Sequence, residues 1–127
     1  MLINKSPEGL YLFDLEVSGR RKKRTVQAIV DTGSTDCACT YKVITTLQVR
    51  PVDFQIVNMF ETKKRRLIYE AQISFDGRSM RVPIIRVEEI ASNADFVLGM
   101  TVLSNCIFSQ EANVMTVKWA MPPGLTL

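Results

Sequence analysis

An apolar run, Ala28-Ile29-Val30, leads into Asp31-Thr32-Gly33-Ser34. A carboxylate delivered by a buried strand is costly unless it is hydrogen-bonded or paired. The residues after Asp31 suit that need. Gly33 permits a tight turn that brings backbone amides to the Asp31 carboxylate. Ser34 offers a hydroxyl to the same group, and Thr32 offers one that can reach another segment. The chemistry implied is proton transfer by a carboxylate held in a fixed place.

Two features narrow that chemistry. The sequence has no histidine, which removes Ser-His-Asp and Cys-His catalysis and zinc sites built on imidazole. The three cysteines, Cys37, Cys39 and Cys106, form one C-x-C pair and no second pair, so no four-ligand set is indicated. An odd count with no signal-peptide pattern reads as reduced thiols, and a cytoplasmic chain is the expectation. Buried or spectator cysteine is the expected role. No metal or other cofactor is called for.

The elements that position Asp31 are mostly strands. Phe13, Leu15 and Val17 alternate with polar residues, as do Val26, Ala28 and Val30. This is the period of half-buried strands, here paired as a hairpin through Ser18-Gly19. Tyr69, Ala71, Ile73 and Phe75 alternate up to Asp76-Gly77, a strong hairpin signal. The return strand spans 79–87, with Pro83 marking part of it as an edge. Phe96-Val97-Leu98 reads as a strand buried on both faces, and Met115, Val117 and Trp119 as the last strand. Short helices are expected at 40–47 and at 101–107, the second capped by Thr101. In each half a hairpin precedes an apolar strand that stops at a glycine.

Composition agrees with one globular domain over 1–127. The 127 residues are 46% apolar and 23% charged, which is not the profile of disorder. No apolar stretch approaches the roughly 20 residues of a membrane span. The net charge of +3 hides two basic runs, Arg20–Arg24 and Lys63–Arg66. Both lie between strand patterns and are read as solvated turn tips. No aromatic residues alternate with them, so a nucleic-acid partner is not favoured.

Ile29-Val30-Asp31-Thr32-Gly33-Ser34 and, about 68 residues on, Phe96-Val97-Leu98-Gly99-Met100 carry a resemblance to a known family. The chain resembles the retropepsins, the single-domain retroviral-type aspartic proteases, over residues of about 8–120. The resemblance implies a mainly β acid-protease fold, a closed barrel or sandwich with a flap hairpin and one or two short helices. It implies that Asp31 is catalytic and that Thr32, Gly33 and Ser34 support its loop, with Thr32 hydrogen-bonding across a dimer. Thr35 and Asp36 fall where the family lines substrate subsites. The segment 53–72 falls at the flap, with Met59 and Phe60 placed to touch a polypeptide substrate.

Peptide hydrolysis by aspartates needs two carboxylates, one ionised to activate water and one protonated to polarise the carbonyl. The sequence has one Asp-Thr-Gly. Each of two chains must then contribute Asp31 across a two-fold axis, as a homodimer.

The match has departures. The family's flap tip is often glycine-rich, whereas 57–66 has no glycine and carries positive charge, which favours acidic substrate flanks. The arginine common after the second glycine is replaced by Met100-Thr101. Retropepsins interleave their chain ends, and 114–119 supplies such a strand, which Pro122-Pro123 would end early. A second reading is therefore a retropepsin-like dimerisation or partner-binding domain with little proteolytic activity.

Overall fold

The computed structural model describes residues 1–59 and 61–120. In chain order the strands are β1 (Leu2–Asn4), β2 (Leu12–Ser18), β3 (Lys23–Val30) and β4 (Cys37–Thr40), followed by the helix α1 (Tyr41–Thr46). Next come β5 (Pro51–Met59), β6 (Thr62–Phe75) and β7 (Arg78–Val87). The chain continues with β8 (Phe96–Leu98), the helix α2 (Met100–Leu103), β9 (Cys106–Glu111) and β10 (Val114–Trp119). The fold is mainly β, as the alternation of apolar residues demands. Among the described residues no helix is long and apolar enough to cross a membrane.

Seven strands pair in the order β2-β3-β8-β4-β7-β6-β5, and β2 also pairs with β6. The extra pairing closes a ring of six strands, with β5 attached outside it. The alternation read from the sequence sets the inner face: Leu15 and Val17 of β2, Val26 and Ala28 of β3, and Ala71, Ile73 and Phe75 of β6 are buried. Both residues of the turn between β6 and β7, Asp76 and Gly77, have positive φ (49° and 78°). That conformation matches the twist of a two-residue hairpin, which is why Asp-Gly signals one.

Strands β4 and β8 run antiparallel at the centre of the sheet. Each is flanked by a parallel strand from the other half of the chain, β8 by β3 and β4 by β7. The units β2-β3-β4-α1 and β6-β7-β8-α2 thus repeat one pattern, and the sequence echo has this structural basis. β4 joins β7 only from Ile84 onward, so Pro83, which lacks an amide, lies on the free edge.

A second sheet, β1-β10-β9, packs on the ring. Trp119 fastens it: its ring stacks on Phe75 at 4.5 Å, and its indole N–H donates to the Phe75 carbonyl at 3.0 Å. Ile3, Met115 and Val117 join the same core as Phe13 and Phe75.

Several local expectations are corrected. The run Lys63–Arg66 is not a turn tip but part of β6, paired with Val57 to Gln55 and neighbours on β5. The second helix is capped by Gly99 rather than Thr101 and ends at Leu103, and Cys106 already begins β9. Strand β10 has β1 on one side and β9 on the other within its own chain. It therefore has no edge to interleave with a second chain. Pro122-Pro123 lie outside the described residues.

Candidate active site

Asp31 follows directly on β3, where the chain leaves the sheet. Two adjacent parallel strands converge there. The ladder pairs Val30 with Leu98, and the Asp31 amide donates to the Leu98 carbonyl at 3.0 Å. The next residue of the second strand is Gly99. Its amide donates to the Cys37 thiol sulfur at 3.4 Å, so the two strand ends and the start of β4 are tied together under the loop at 31–36.

The loop is shaped by its own hydrogen bonds. The Gly33 amide donates to Oδ1 of Asp31 at 2.9 Å, and the Ser34 amide donates to the Asp31 carbonyl at 3.2 Å. The expected bond from the Ser34 hydroxyl to the Asp31 carboxylate is not made. That hydroxyl donates to the Asp36 carbonyl at 2.8 Å, because the turn carries it away from Asp31 and toward the chain's re-entry into β4.

Helix α2 holds the loop from below. The amides of Met100 and Thr101 donate to the carbonyls of Ser34 and Thr35 at 2.8 and 3.0 Å, and the Thr101 hydroxyl adds a 2.8 Å bond to the Thr35 carbonyl. The role of Thr101, missed as a helix cap, is to fix the loop that carries the carboxylate. Three bonds from one short turn, two of them to a single carbonyl, leave that loop little freedom.

In the single chain Asp31 is exposed, although β3 behind it is buried. The carboxylate is thus not sunk in an apolar place by its own chain. It stands at one side of a cavity of about 400 Å³ whose other lining residues include Leu10, Ile29, Ala38, Ile90 and Val97. Such a volume and lining suit an apolar side chain of a ligand. These residues went unassigned in the sequence. Ile29 and Val97 are the out-of-phase members of β3 and β8, and that position was the available signal.

Thr32, Gly33, Thr35 and Asp36 are exposed beside Asp31 and Ser34 is half-buried. The Thr32 hydroxyl finds no partner within the described residues. Asp36 lies 3.9 Å from the Arg66 guanidinium of β6, which links the loop to the hairpin β5–β6. Met59 ends β5 at the far end of that hairpin, away from the loop along the chain, and Phe60 lies outside the described residues. The structure thus gathers the residues of 31–36 into one loop. Burial pushes the Cys37 thiol above its ordinary value, with nearby Asp36 acting in the same direction and the Gly99 amide against it.

No protein-family model matches the sequence, and no curated protein matches it. Solved structures do. A retropepsin-like aspartic protease from Rickettsia conorii superposes with a TM-score of 0.67 at 14% identity, over 94% of this chain and 89% of that one. The EIAV protease, in an inhibitor complex, gives 0.58 at 13% identity over 78% and 89%. The simian foamy virus protease gives 0.53 at 16% identity over 72% and 92%. With the ring of six strands, the flap-like hairpin and the short helix after Gly99, these likenesses identify the fold of this chain as that of the retropepsin-like aspartic proteases.

Proposed function

We propose that the protein is an aspartic endopeptidase that works as a homodimer. The observation that carries this reading is the Asp31 carboxylate itself. It is oriented by the Gly33 amide, braced through α2, exposed on one side and bordered by an apolar cavity on the other. A carboxylate so placed completes its surroundings with a second copy of itself.

Support for the dimer comes from three places. One Asp-Thr-Gly per chain supplies half of the required pair. The Thr32 hydroxyl has no partner among the described residues, and a partner chain offers one. The sheet β1-β10-β9 presents two open edges, β1 and β9, with Leu2, Ile107 and Phe108 exposed along them at 73%, 53% and 37%. Exposed apolar strand edges are templates for pairing with another chain. The chains therefore meet through β1 and β9, not β10. Met100 packs against the core, so the position where relatives often carry arginine adds no ion pair to this interface.

The chemistry follows from two carboxylates in contact. They cannot both ionise at low cost, so they share one proton. The ionised Asp31 takes a proton from a water molecule as the water oxygen attacks the peptide carbonyl carbon. The protonated Asp31 gives its proton to the carbonyl oxygen. The tetrahedral adduct then collapses: the Asp31 that took the water proton gives it to the nitrogen, one hydroxyl of the adduct returns a proton to the other Asp31, the carbon–nitrogen bond breaks, and a carboxyl group and an amine are released. No bond forms between enzyme and substrate. The hairpin β5–β6 closes over the peptide and excludes water. Thr35 and Asp36 line the path of the peptide backbone.

The test is incubation of the purified protein with an unstructured protein substrate between about pH 4 and about pH 7, beside Asp31→Asn. Cleavage by the parent alone supports the reading. A stable dimer that cleaves nothing would favour a partner-binding domain instead.

A further inference from the structure

Strands β6 and β7 part company before the flap hairpin ends. Their ladder stops at the pair Ile68–Ile85. Beyond it β6 pairs only with β5, and β7 runs on beside β4. The fork between them is a cavity of about 370 Å³, lined by Leu67 and Tyr69 and by four cations, Lys64, Arg65, Arg66 and Arg86. No acidic residue lines it.

Two of the cations, Arg65 and Arg86, are positioned but not neutralised. Arg65 lies over the Phe54 ring at 4.4 Å and Arg86 over the Tyr41 ring at 5.0 Å. Such stacking orients a guanidinium and leaves its charge in place. Among the described residues Lys64, Arg65 and Arg86 have no ion-pair partner. Arg66 is held by the Gln55 side-chain oxygen at 2.6 Å, and its Nε is buried without a hydrogen-bond partner. Four like charges around one fork repel each other, and an anion relieves that repulsion.

Arg66 also joins the fork to the cleft. Its guanidinium lies 3.9 Å from Asp36, which closes the loop begun by Asp31. An extended peptide passing over Asp31 and out past Asp36 advances about 3.3 Å per residue and reaches the fork within a few residues. We propose that the fork is a subsite for a carboxylate side chain of the substrate, so that the enzyme selects peptides with Asp or Glu a few residues from the cleaved bond. This rests on the endopeptidase reading above. Two-fold symmetry gives each chain's fork to one flank of the peptide.

The experiment uses two unstructured peptides with the same apolar centre, flanked by Glu in one and by Gln in the other. Asp31→Asn serves as a non-cleaving trap, and fluorescence anisotropy gives the Kd of each labelled peptide. The Glu peptide is expected to bind about tenfold tighter, with a preference that shrinks as salt is added. Adding Arg65→Gln and Arg86→Gln should abolish the preference, and Arg86→Gln alone should reduce it. Equal binding of the two peptides, no binding of the Glu peptide, or a preference that survives the double substitution would overturn the proposal. The same peptides offered to the parent separate the two readings. Selective binding without any cleavage removes the endopeptidase reading and leaves the carboxylate site standing.

Discussion

Gly99 lies directly against the loop it supports: a Cβ built there would stand 2.8 Å from the Ser34 carbonyl oxygen and closer still to that of Asp36. Both neighbours are backbone atoms, which cannot swing aside as a side chain would. The glycine is thus required by the approach of β8 to the loop at 31–36, not by an unusual φ. Gly99→Ala is expected to lower stability by about 1–3 kcal/mol, the range for overpacking a closed site. Urea denaturation measures this, and an unshifted midpoint would contradict the geometry.

Thr101 ties α2 to the same loop through its hydroxyl bond to the Thr35 carbonyl. Thr101→Val keeps the shape and deletes that bond. A stability loss of about 0.5–1.5 kcal/mol is expected, together with a fall in kcat greater than any rise in KM. The split follows from the proposed function, in which the loop positions the reacting carboxylate rather than the distant parts of a substrate. A change confined to KM would argue that the bond serves binding alone.

Asp31 is exposed in the single chain, and among the described residues its carboxylate accepts one hydrogen bond, from Gly33. Asp31→Asn retains an acceptor oxygen at nearly the same place. Its effect on folding should stay within about 1 kcal/mol, while proteolysis disappears. In the proposed dimer it also removes repulsion between two carboxylates. A large fall in Tm would show that the carboxylate has a structural task.

The thiols give a pH signature. Burial pushes the Cys39 thiol up to about 12, helped by the negative charge of Asp95, and burial pushes the Cys106 thiol up to about 11. In the unfolded chain they ionise near the ordinary value of about 8.5. Above that value the unfolded state has released protons that the folded state still holds. Stability is therefore fully present below it and falls as pH rises toward the folded-state values. The stability advantage of the parent over Cys39→Ala should shrink between about pH 8.5 and about pH 11 in urea titrations. A constant difference across that window would contradict the burial argument.

The ring was legible wherever a strand had one wet face. Phe13, Leu15 and Val17, or Ala71, Ile73 and Phe75, announce themselves because every second residue meets solvent. Strand β4 gave no such signal, since Cys37 to Thr40 are all buried and pair with β7 and β8, far away in sequence. Strand β9 failed for the opposite reason: nearly all of it is exposed. The charges of Lys63–Arg66 looked like a turn because nothing local records that β5 carries β6 out into solvent. At the candidate site, the motif pointed to Asp31 and the loop after it. The partner of the Ser34 hydroxyl was not legible, since a turn's path decides it. The apolar cavity wall was not legible either, since Leu10, Ala38 and Ile90 come together only in the folded sheet.

The central claim is that each chain supplies one Asp31 to a shared site. Mixing parent and Asp31→Asn chains at a fixed total concentration, with subunit exchange allowed to finish, tests it directly. At an equal mixture about one quarter of random dimers contain two parent chains. Proteolysis is predicted to fall to about one quarter of its all-parent rate. A fall to about one half, proportional to the parent chains present, would mean that each chain cleaves alone and would contradict the account.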